Sequence, residues 1–272
     1  MSVEHNCETC PVHAEMAQLG AAVGAFDRVV ALAGNPNTGK STLFNSLTGL
    51  NQHTGNWPGK TVTRAEGAFQ FGGVRYKLVD LPGTYSLLSA SDDEEVARNF
   101  LLFGRPDCTV VVVDASALER NLYLVLQVLE ITDRVVIAVN LMDEAKRRGI
   151  EVDTRSLSRD LGVPAIPLVA RTGENMMALL GEIAAVASGE TVTQPLRSKG
   201  TTAFEHAVST LVPMIEAAAP GVPNARWIAI RLLDGDVPVE EALASGRLAE
   251  LVVRQQAPDA RFSRKIAIQG AQ

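Results

Sequence analysis

The sequence predicts an α/β fold with a doubly wound, mostly parallel sheet and one antiparallel edge strand, followed by a small all-α domain. The first observation is a series of nearly unbroken apolar runs, which is typical of parallel strands buried on both faces. The second is that helix-length segments separate these runs, as in a series of βαβ units. The third is a change after about Gly189, where strand-like runs stop and helical periodicity begins.

The predicted strands and their connecting helices lie between about Arg28 and Ala187. The strand runs are RVVALAG, VRYKLVD, CTVVVVD, RVVIAVN and VPAIPLV. The helical segments between them include STLFNSLTG, DEEVARNFLLFG and ERNLYLVLQVLEI. A hairpin around Gly72–Gly73 is expected to place one antiparallel strand at the edge of the sheet.

The C-terminal part is predicted to be helical and to follow a polar linker, TVTQPLRSKG. Apolar residues recur at helical spacing from Phe204 to Ala218, and Pro220 ends that helix. The runs WIAIRLLDG, PVEEALAS and RLAELVVRQQ predict further short helices. The predicted domains are a flexible N-terminal extension over residues 1–26, the α/β domain over 27–188 and the helical domain over 198–272.

The composition argues against several classes of function. The chain has 272 residues and a formal net charge of −6, whereas nucleic-acid binding needs a basic surface. No apolar run approaches the roughly 18 residues of a membrane span. The first segment is acidic and lacks the basic and apolar regions of a signal peptide, and the 3 cysteines fit a reducing compartment.

The segment GNPNTGKST, residues 34–42, matches the pattern G-x-x-x-x-G-K-[ST] of a phosphate-binding P-loop between a predicted strand and a predicted helix. In such a loop the glycines let backbone N–H groups close around phosphates. Lys40 then places a charge at the β- and γ-phosphates, and Ser41 offers an oxygen to Mg²⁺. The predicted nucleotide contacts are Gly34, Asn35, Asn37, Thr38, Gly39, Lys40, Ser41 and Thr42.

Two further segments are expected to contact Mg²⁺ and the γ-phosphate. KLVDLPG puts Asp80 at the end of a strand, near Mg²⁺, and Gly83 three residues later, with its N–H at the γ-phosphate. The loop NQHTGNWPGKTVTRAEG precedes the edge strand, where G domains carry their first switch. In this loop Thr61, ahead of Thr63, is the predicted ligand of Mg²⁺, and Trp57 is predicted to lie in a mobile loop rather than in the core.

The motif VNLMD, after the strand RVVIAV, supplies Asn140 and Asp143 to read the base. A carboxylate accepts hydrogen bonds from both the ring N–H and the exocyclic amine of guanine. Adenine offers no matching pair of donors, so the motif selects GTP over ATP. Leu141 stands where most G domains have lysine, which predicts modest nucleotide affinity. The segment VARTGEN is expected to direct a backbone N–H near Ala170 and Arg171 at the guanine carbonyl.

The opening segment HNCETCPVH contains His5, Cys7, Cys10 and His13. These side chains have the chemistry to bind Zn²⁺ or Fe²⁺. The two cysteines also have the spacing of a redox pair. A lone C-x-x-C is a weak signal, so we favour a flexible leader over a metal site. Cys108, at the start of a buried strand, is expected to be part of the core.

Together, GNPNTGKSTLFNSLTG, GNWPGKTVT, DLPGTYSL and NLMD resemble the cytoplasmic N-terminal region of the prokaryotic ferrous iron transporter B (FeoB) family. The resemblance covers residues from about 28 to 272, and DLPGTYSL with the GNW-x-G-x-T-V loop is its most specific part. It implies a G domain and a small helical domain that precede a polytopic membrane region. The family pattern implies the roles already given to Lys40, Ser41, Thr61, Asp80, Gly83, Asn140 and Asp143.

The resemblance also implies a setting for the reaction. Some family members are stimulated by K⁺, with the second P-loop asparagine as cation ligand, and that residue is Asn37 here. The implied location is the cytoplasmic face of the bacterial inner membrane, with this chain as a soluble fragment. The implied partners are the transporter's own membrane region and small accessory Feo proteins, and a homo-oligomer is left open. Val169 replaces the serine usual in G domains, although a backbone contact from Ala170 would survive this change.

The D-x-x-G segment predicts a slow GTPase. Ras-like enzymes place a water-orienting glutamine after this glycine, but Thr84 and Tyr85 follow Gly83 here. Switch-loop backbone groups would then hold the water, and a K⁺ beside Asn37 would supply electrostatic stabilisation. The leading hypothesis is a GTP-binding, slowly hydrolysing module that regulates or drives ferrous iron uptake.

Two alternatives remain at this point. A soluble ribosome-assembly GTPase of the Era class shares the P-loop asparagines but needs an RNA-binding module. The C-terminal part has no GxxG clamp and no aromatic strand platform for RNA. The other alternative is a nucleotide-binding switch whose turnover is incidental.

Overall fold

The computed structural model describes residues 26–49, 52–57, 60–88, 91–197 and 199–256. These residues form two compact units, one over residues 26–201 and one that includes residues 202–256. In the described part of the first unit, the sheet consists of β1 (Arg28–Gly34), β2 (Gln52–Asn56), β3 (Thr63–Phe71), β4 (Val74–Asp80), β5 (Cys108–Asp114), β6 (Val135–Asn140) and β7 (Ala165–Pro167).

The strand order across the sheet is β2-β3-β4-β1-β5-β6-β7. The strands β4, β1, β5, β6 and β7 pair in parallel, whereas β3 is antiparallel to β4 and β2 is antiparallel to β3. The central strands β5 and β6 are almost completely buried, as their β-branched sequences require. The predicted fold class, a mostly parallel sheet with an antiparallel edge, is confirmed.

Helices connect the strands, and their apolar faces build the core. The helices of this unit are α1 (Lys40–Thr48), α2 (Asp92–Phe103), α3 (Leu118–Ile131), α4 (Met142–Arg147), α5 (Thr154–Leu161) and α6 (Met176–Ser188). Leu43 and Phe44 of α1 and Leu179 and Ile183 of α6 join the buried strand residues in one apolar cluster. Full burial of each such side chain contributes about 1.5–3 kcal/mol to folding.

The turn between β3 and β4 is the predicted hairpin. Phe71 and Val74 are paired across it, and Gly72 (φ 59°) and Gly73 (φ 80°) both adopt the left-handed conformation. A two-residue turn with two positive φ angles matches the right-handed twist of the strands that it joins. The hairpin prediction is therefore confirmed.

The antiparallel edge extends further than the sequence indicated. β2 lies inside the segment predicted as a switch loop, and its residues are paired with β3 from Gln52 opposite Gly67 to Asn56 opposite Thr63. Its sequence, QHTGN, has neither β-branched enrichment nor an apolar alternation. Pairing with the longer β3 therefore determines this strand, rather than its own residues.

The segment predicted as a polar linker packs against the α/β unit over residues 191–197. The N–H of Gln194 donates to the carbonyl of Gly162 at 3.0 Å, and the N–H of Leu196 donates to the carbonyl of Leu161 at 2.9 Å. Gly162 has a φ of 70°, and a Cβ there would lie 1.8 Å from the carbonyl oxygen of Gln194. A glycine at this position therefore permits the close approach of the segment.

The described residues of the second unit form helices joined by short turns. They form α7 (Thr202–Ala218), α8 (Ala225–Leu233), α9 (Val237–Ala244) and α10 (Arg247–Gln256). Arg226 of α8 donates two hydrogen bonds to the Glu205 carboxylate of α7, at 2.7 and 3.0 Å. Among the residues described, no helix combines the length and the apolar character needed to cross a membrane. The domain bounds predicted above stay predictions.

Candidate nucleotide-binding site

The loop between β1 and α1 has the backbone geometry of a phosphate cradle. Asn37 (φ 66°) and Gly39 (φ 82°) are in the left-handed conformation, and α1 begins at Lys40 with Gly39 as its N-cap. In this fully described stretch, no side chain caps α1 and no acidic residue lies in its first turn. The first N–H groups of the helix and the positive end of its dipole are therefore suited to bind an anion.

Two glycines allow this loop to lie close to the sheet. A Cβ on Gly39 would lie 2.3 Å from the Nδ2 atom of Asn140, and a Cβ on Gly34 would lie 2.6 Å from the carbonyl oxygen of Val112. Real Cβ atoms do not approach other atoms so closely. The close contacts with β5 and β6 thus require glycine at these two positions. This requirement is separate from the one that the sequence motif predicts for phosphate binding.

Asn140 joins the P-loop to the loop that follows β7. Only 1% of its surface is exposed. Its Nδ2 donates to the carbonyl of Thr38 at 2.9 Å, and its Oδ1 accepts from the N–H of Ala170 at 2.9 Å. The amide nitrogen carries a second hydrogen that can be donated to a base. The N–H of Ala170 is used in this bond, and the predicted backbone contact from near Ala170 and Arg171 to the guanine carbonyl stays a prediction.

Lys40 joins the P-loop to the end of β4. Its Nζ donates to Asp80 Oδ1 and, at 2.7 Å, to the carbonyl of Leu81. The side chains of Lys40 and Asp80 are only 10% and 17% exposed. Burial raises the pKa of Asp80 above its ordinary value of 3.8, and the ammonium group of Lys40 opposes this shift. The structure therefore brings the predicted phosphate-binding lysine and the predicted Mg²⁺-associated carboxylate together.

Ser41 and Gly83 lie beside this pair. Ser41 follows Lys40 in the first turn of α1 and is exposed. A Cβ built on Gly83 would lie 3.5 Å from Pro36 of the P-loop, so the D-x-x-G segment packs directly against that loop. A hydroxyl from Ser41 and a carboxylate from Asp80 are oxygen donors of the kind that Mg²⁺ prefers. Thr42 is also exposed on α1.

Asp143 lies in the first turn of α4, next to two arginines. Leu141 precedes it in the left-handed conformation, with φ 61°. Arg171 Nη2 donates to Asp143 Oδ2 at 3.4 Å, and Arg147 Nη2 lies 3.6 Å from the same oxygen. Asp143 is partly exposed and thus accessible to a base. The sequence indicated a backbone role for Arg171 but gave no sign of this side-chain contact.

The predicted switch loop is attached to α2, which corrects one prediction. Trp57 is only 4% exposed, and its ring meets that of Phe100 edge to face, with 5.4 Å between centroids. The placement of Trp57 in a mobile loop is therefore wrong, because the apolar face of α2 buries the ring despite the neighbouring glycines and proline. Thr61 is exposed, and its role as a Mg²⁺ ligand stays a prediction.

Sequence reasoning also missed Lys60 in this loop. Its Nζ donates to Asp92 Oδ1 at 2.6 Å and to Glu95 Oε2 at 3.0 Å. The run DDEE at the start of α2 was the available signal, because adjacent carboxylates commonly attract a cation.

Cys108 is fully buried, as predicted, and burial raises the pKa of its thiol. The N-terminal pairs of cysteines and histidines lie outside the described residues.

Three loops at the carboxyl edge of one parallel sheet are thus joined by two side chains. Lys40 connects the phosphate loop to the D-x-x-G segment, and Asn140 connects it to the segments predicted to read the base. This arrangement is that of a G domain of the P-loop class. Its predicted ligand is a guanine nucleotide.

Comparison with known proteins identifies the family. The family model described as "Ferrous iron transport protein B" matches residues 28–183, and the model described as "FeoB cytosolic helical domain" matches residues 201–262. The chain belongs to the FeoB family. These matches favour an iron-transport G domain over the Era-class alternative.

Two relatives and one solved structure illustrate the similarity. The Fe(2+) transporter FeoB of Escherichia coli K12 is 41% identical over 217 residues, which are 76% of this chain and 27% of that protein. An Fe(2+) transport protein A/Fe(2+) transporter FeoB fusion protein of Porphyromonas gingivalis is 41% identical over 211 residues, 76% of this chain and 25% of the fusion. The chain thus spans about a quarter of the length of these relatives.

The structural match extends over both units. The cytosolic domain of T. maritima FeoB, in a GDP form, is 33% identical to this chain with a TM-score of 0.74. The match covers 85% of this chain and 95% of the T. maritima chain. The fold and the G-domain class therefore agree with those of a solved FeoB cytosolic domain in a GDP form.

Proposed function

We propose that this chain is the GTP-binding, slowly hydrolysing module of a ferrous iron uptake protein, and that it regulates or drives iron passage through a membrane region outside this chain. Membership of the FeoB family supports the setting. The observation that carries the biochemical part is the Asn140 side chain, which ties the phosphate loop to the segment after β7. This link supports a single site in which the phosphates and the guanine are bound by adjoining loops.

In this proposal each residue binds one part of Mg²⁺·GTP. The P-loop N–H groups and Lys40 hold the phosphates, and Asp143 accepts from the guanine. Ser41, Thr61 and Asp80 are the predicted holders of Mg²⁺, which would neutralise charge on the phosphates. Gly83 packs against the P-loop, and the proposal assigns its N–H to the γ-phosphate.

A low rate of hydrolysis follows from the residues after Gly83. Thr84 is buried, and Tyr85 is half exposed with the Arg120 guanidinium 5.8 Å from its ring centroid. Neither side chain has the amide group with which a glutamine orients water. The proposal assigns electrostatic assistance to K⁺ held near Asn37, which is an exposed residue of the P-loop.

The proposed setting is the cytoplasmic face of the inner membrane. The relatives are named as Fe(2+) transporters, and one is fused to an Fe(2+) transport protein A. The proposed partners are accordingly the membrane region of the parent protein and a small accessory Feo protein. A homo-oligomer remains compatible with this proposal.

The test is the rate of GTP hydrolysis in KCl and in NaCl for the wild type and for Asn37→Ala. We expect faster hydrolysis by the wild type in KCl and no difference between the salts for the variant. The affinity for GDP should stay within about twofold, because the proposal assigns the Asn37 side chain to K⁺ rather than to the base. Asn37→Gly is the matched variant, since glycine keeps the left-handed backbone at φ 66° while lacking the side chain.

Loss of potassium stimulation in both variants would assign the effect to the amide side chain. Loss in Asn37→Ala alone would assign it to backbone strain, and equal rates of the wild type in KCl and NaCl would contradict the potassium part of the proposal. Absence of GTP turnover by the wild type in either salt would contradict the enzymatic part. GDP binding measured in the same samples keeps these outcomes apart from misfolding.

A further inference from the structure

Lys60 lies between two carboxylates of α2. Its Nζ is 2.6 Å from Asp92 Oδ1 and 3.0 Å from Glu95 Oε2, and its side chain is 29% exposed. The hydrogen bonds that Lys60 donates to these two carboxylates raise its pKa, and the bond to Asp92 has the largest effect. Glu94, on the same turn, instead accepts from the hydroxyl of Ser86 at 2.8 Å. Asp92 and Glu95 thus both bind the ammonium group of Lys60.

A second anchor holds the same loop to the same helix. Trp57 packs on Phe100 of α2, and the guanidinium of Arg64 lies 5.7 Å from the centroid of the Trp57 ring. The N–H of Trp57 donates to the carbonyl of Val62 at 2.9 Å, and the N–H of Lys60 donates to the carbonyl of Trp57 at 3.0 Å. These backbone bonds connect the two anchors, one apolar and one ionic.

Thr61 lies between the anchored residues Lys60 and Val62. Its own side chain is exposed, so its position is determined by its neighbours rather than by burial. α2 is the helix that follows the D-x-x-G segment, which packs against the P-loop through Gly83. The ionic anchor therefore connects the loop of Thr61 to the chain segment that follows Gly83.

We propose that Lys60 is a positioning residue for GTP: it binds Asp92 and Glu95 and thereby holds the Thr61 loop on α2. The two segments that contact the γ-phosphate then act as one unit. The inference deepens the proposed function and rests on the role given there to Thr61. The proposal gives Lys60 itself no contact with the nucleotide or the metal.

The expected effect is selective for the triphosphate. Without the anchor, the loop has more conformations to lose when Thr61 binds the metal at the γ-phosphate. GDP has no γ-phosphate, and Lys60 contacts none of the residues that read the base, so GDP binding should not change. A partly exposed ion pair of this kind contributes up to about 1 kcal/mol, which corresponds to about a fivefold change in affinity.

The experiment measures the affinities of Mg²⁺·GDP and of the non-hydrolysable analogue Mg²⁺·GMPPNP for a set of variants. For Lys60→Met we expect about fivefold weaker binding of GMPPNP and GDP affinity within about twofold of wild type. Lys60→Arg should restore GMPPNP binding, because arginine also pairs with carboxylates. Glu95→Gln should weaken GMPPNP binding in the same direction, and its effect should not add to that of Lys60→Met.

Arg159→Met is the matched control, because it removes an exposed cation near Asp160 of α5. The proposal expects this control variant to have the same ratio of GMPPNP affinity to GDP affinity as the wild type. If the ratio of GMPPNP affinity to GDP affinity is unchanged in Lys60→Met but lowered in Thr61→Ala, the role of Lys60 is overturned and that of Thr61 stands. An unchanged ratio in Thr61→Ala would overturn the underlying role of Thr61. Equal weakening of both nucleotides by Lys60→Met would show a general structural effect and also overturn the inference.

Discussion

Asn140 donates a hydrogen bond of 2.9 Å to the carbonyl of Thr38, a residue 102 positions earlier in the chain. The same side chain accepts from the N–H of Ala170 at 2.9 Å. One buried amide therefore determines the relative positions of the P-loop and the loop after β7. Because the two loops are proposed to bind opposite ends of a nucleotide, an error in this spacing would weaken contacts at both ends.

Asn140→Ala is expected to weaken GDP binding strongly and to destabilise the fold. The substitution leaves a buried carbonyl at Thr38 and a buried N–H at Ala170 without their partner, and each such loss costs about 1–3 kcal/mol. Nucleotide affinity should fall at least tenfold, because the two loops lose their fixed spacing. The measurements are the dissociation constant for GDP and the midpoint of urea unfolding.

Asn121→Ala is the matched control for this prediction. Asn121 is equally buried, in α3, and its Nδ2 donates to the carbonyl of Ala117 at 2.8 Å. The control should lose stability without a comparable loss of GDP affinity. If the two variants lose affinity in proportion to stability, the specific role of Asn140 is excluded.

Gly39→Ala and Gly73→Ala should separate backbone strain from steric overlap. Both glycines have φ near 80°, but a Cβ on Gly39 would lie 2.3 Å from Asn140 Nδ2, whereas none of the described atoms lies within 4 Å of a Cβ on Gly73. Gly73→Ala should cost about 1 kcal/mol of stability and leave GDP binding intact. Gly39→Ala should cost more and abolish GDP binding, because it displaces the amide of Asn140. Stability is measured by calorimetry and GDP affinity by titration. Equal losses of both quantities in the two variants would contradict this distinction.

The sequence predicted the parts of the site that depend on local pattern and on topology. The buried strands are recognisable from runs of β-branched residues, and a parallel sheet brings their carboxyl ends to one edge. Lys40, Asp80 and Asn140 lie at or near these strand ends, so the sequence alone indicates that they come together. The glycines of the P-loop could be inferred in the same way.

The parts that sequence reasoning missed depend on contacts between distant residues. Trp57 is buried because Phe100 lies opposite it, and local glycines give no information about that partner. Lys60 meets Asp92 and Glu95 across 32 and 35 positions. From the sequence, the N–H of Ala170 could donate either to a base or to Asn140. The spacing of the motifs does not show that it donates to Asn140.

The pKa of Asp80 predicts a specific dependence of stability on pH. Because burial raises this pKa, the folded chain binds the proton more tightly than the unfolded chain does. The contribution of Asp80 to stability therefore falls as pH rises through the window between the ordinary value of 3.8 and the raised folded value. Asp80→Asn should lack this decline. In Lys40→Ala the window should extend to higher pH, since the cation that opposes the shift is gone.

The measurement for Asp80 is the free energy of unfolding in urea from about pH 4 to pH 7 for the three proteins. The informative quantity is the difference between wild type and Asp80→Asn at each pH, because other carboxylates titrate equally in both. A difference that does not vary with pH would contradict the raised pKa.

Asp143→Asn should convert the base preference from guanine to xanthine. The carboxylate of Asp143 can accept from both the ring N–H and the exocyclic amine of guanine, whereas an amide can accept from the ring N–H and donate to the carbonyl that xanthine has in place of the amine. Hydrogen bonds to a charged group contribute about 1.5–3 kcal/mol, so GDP affinity should fall about 100-fold while XDP binding is gained. Asp160→Asn, an exposed carboxylate on α5, is the control and should leave both affinities unchanged. Competitive titration with GDP and XDP decides the matter: if Asp143→Asn retains GDP affinity and gains none for XDP, Asp143 does not read the base.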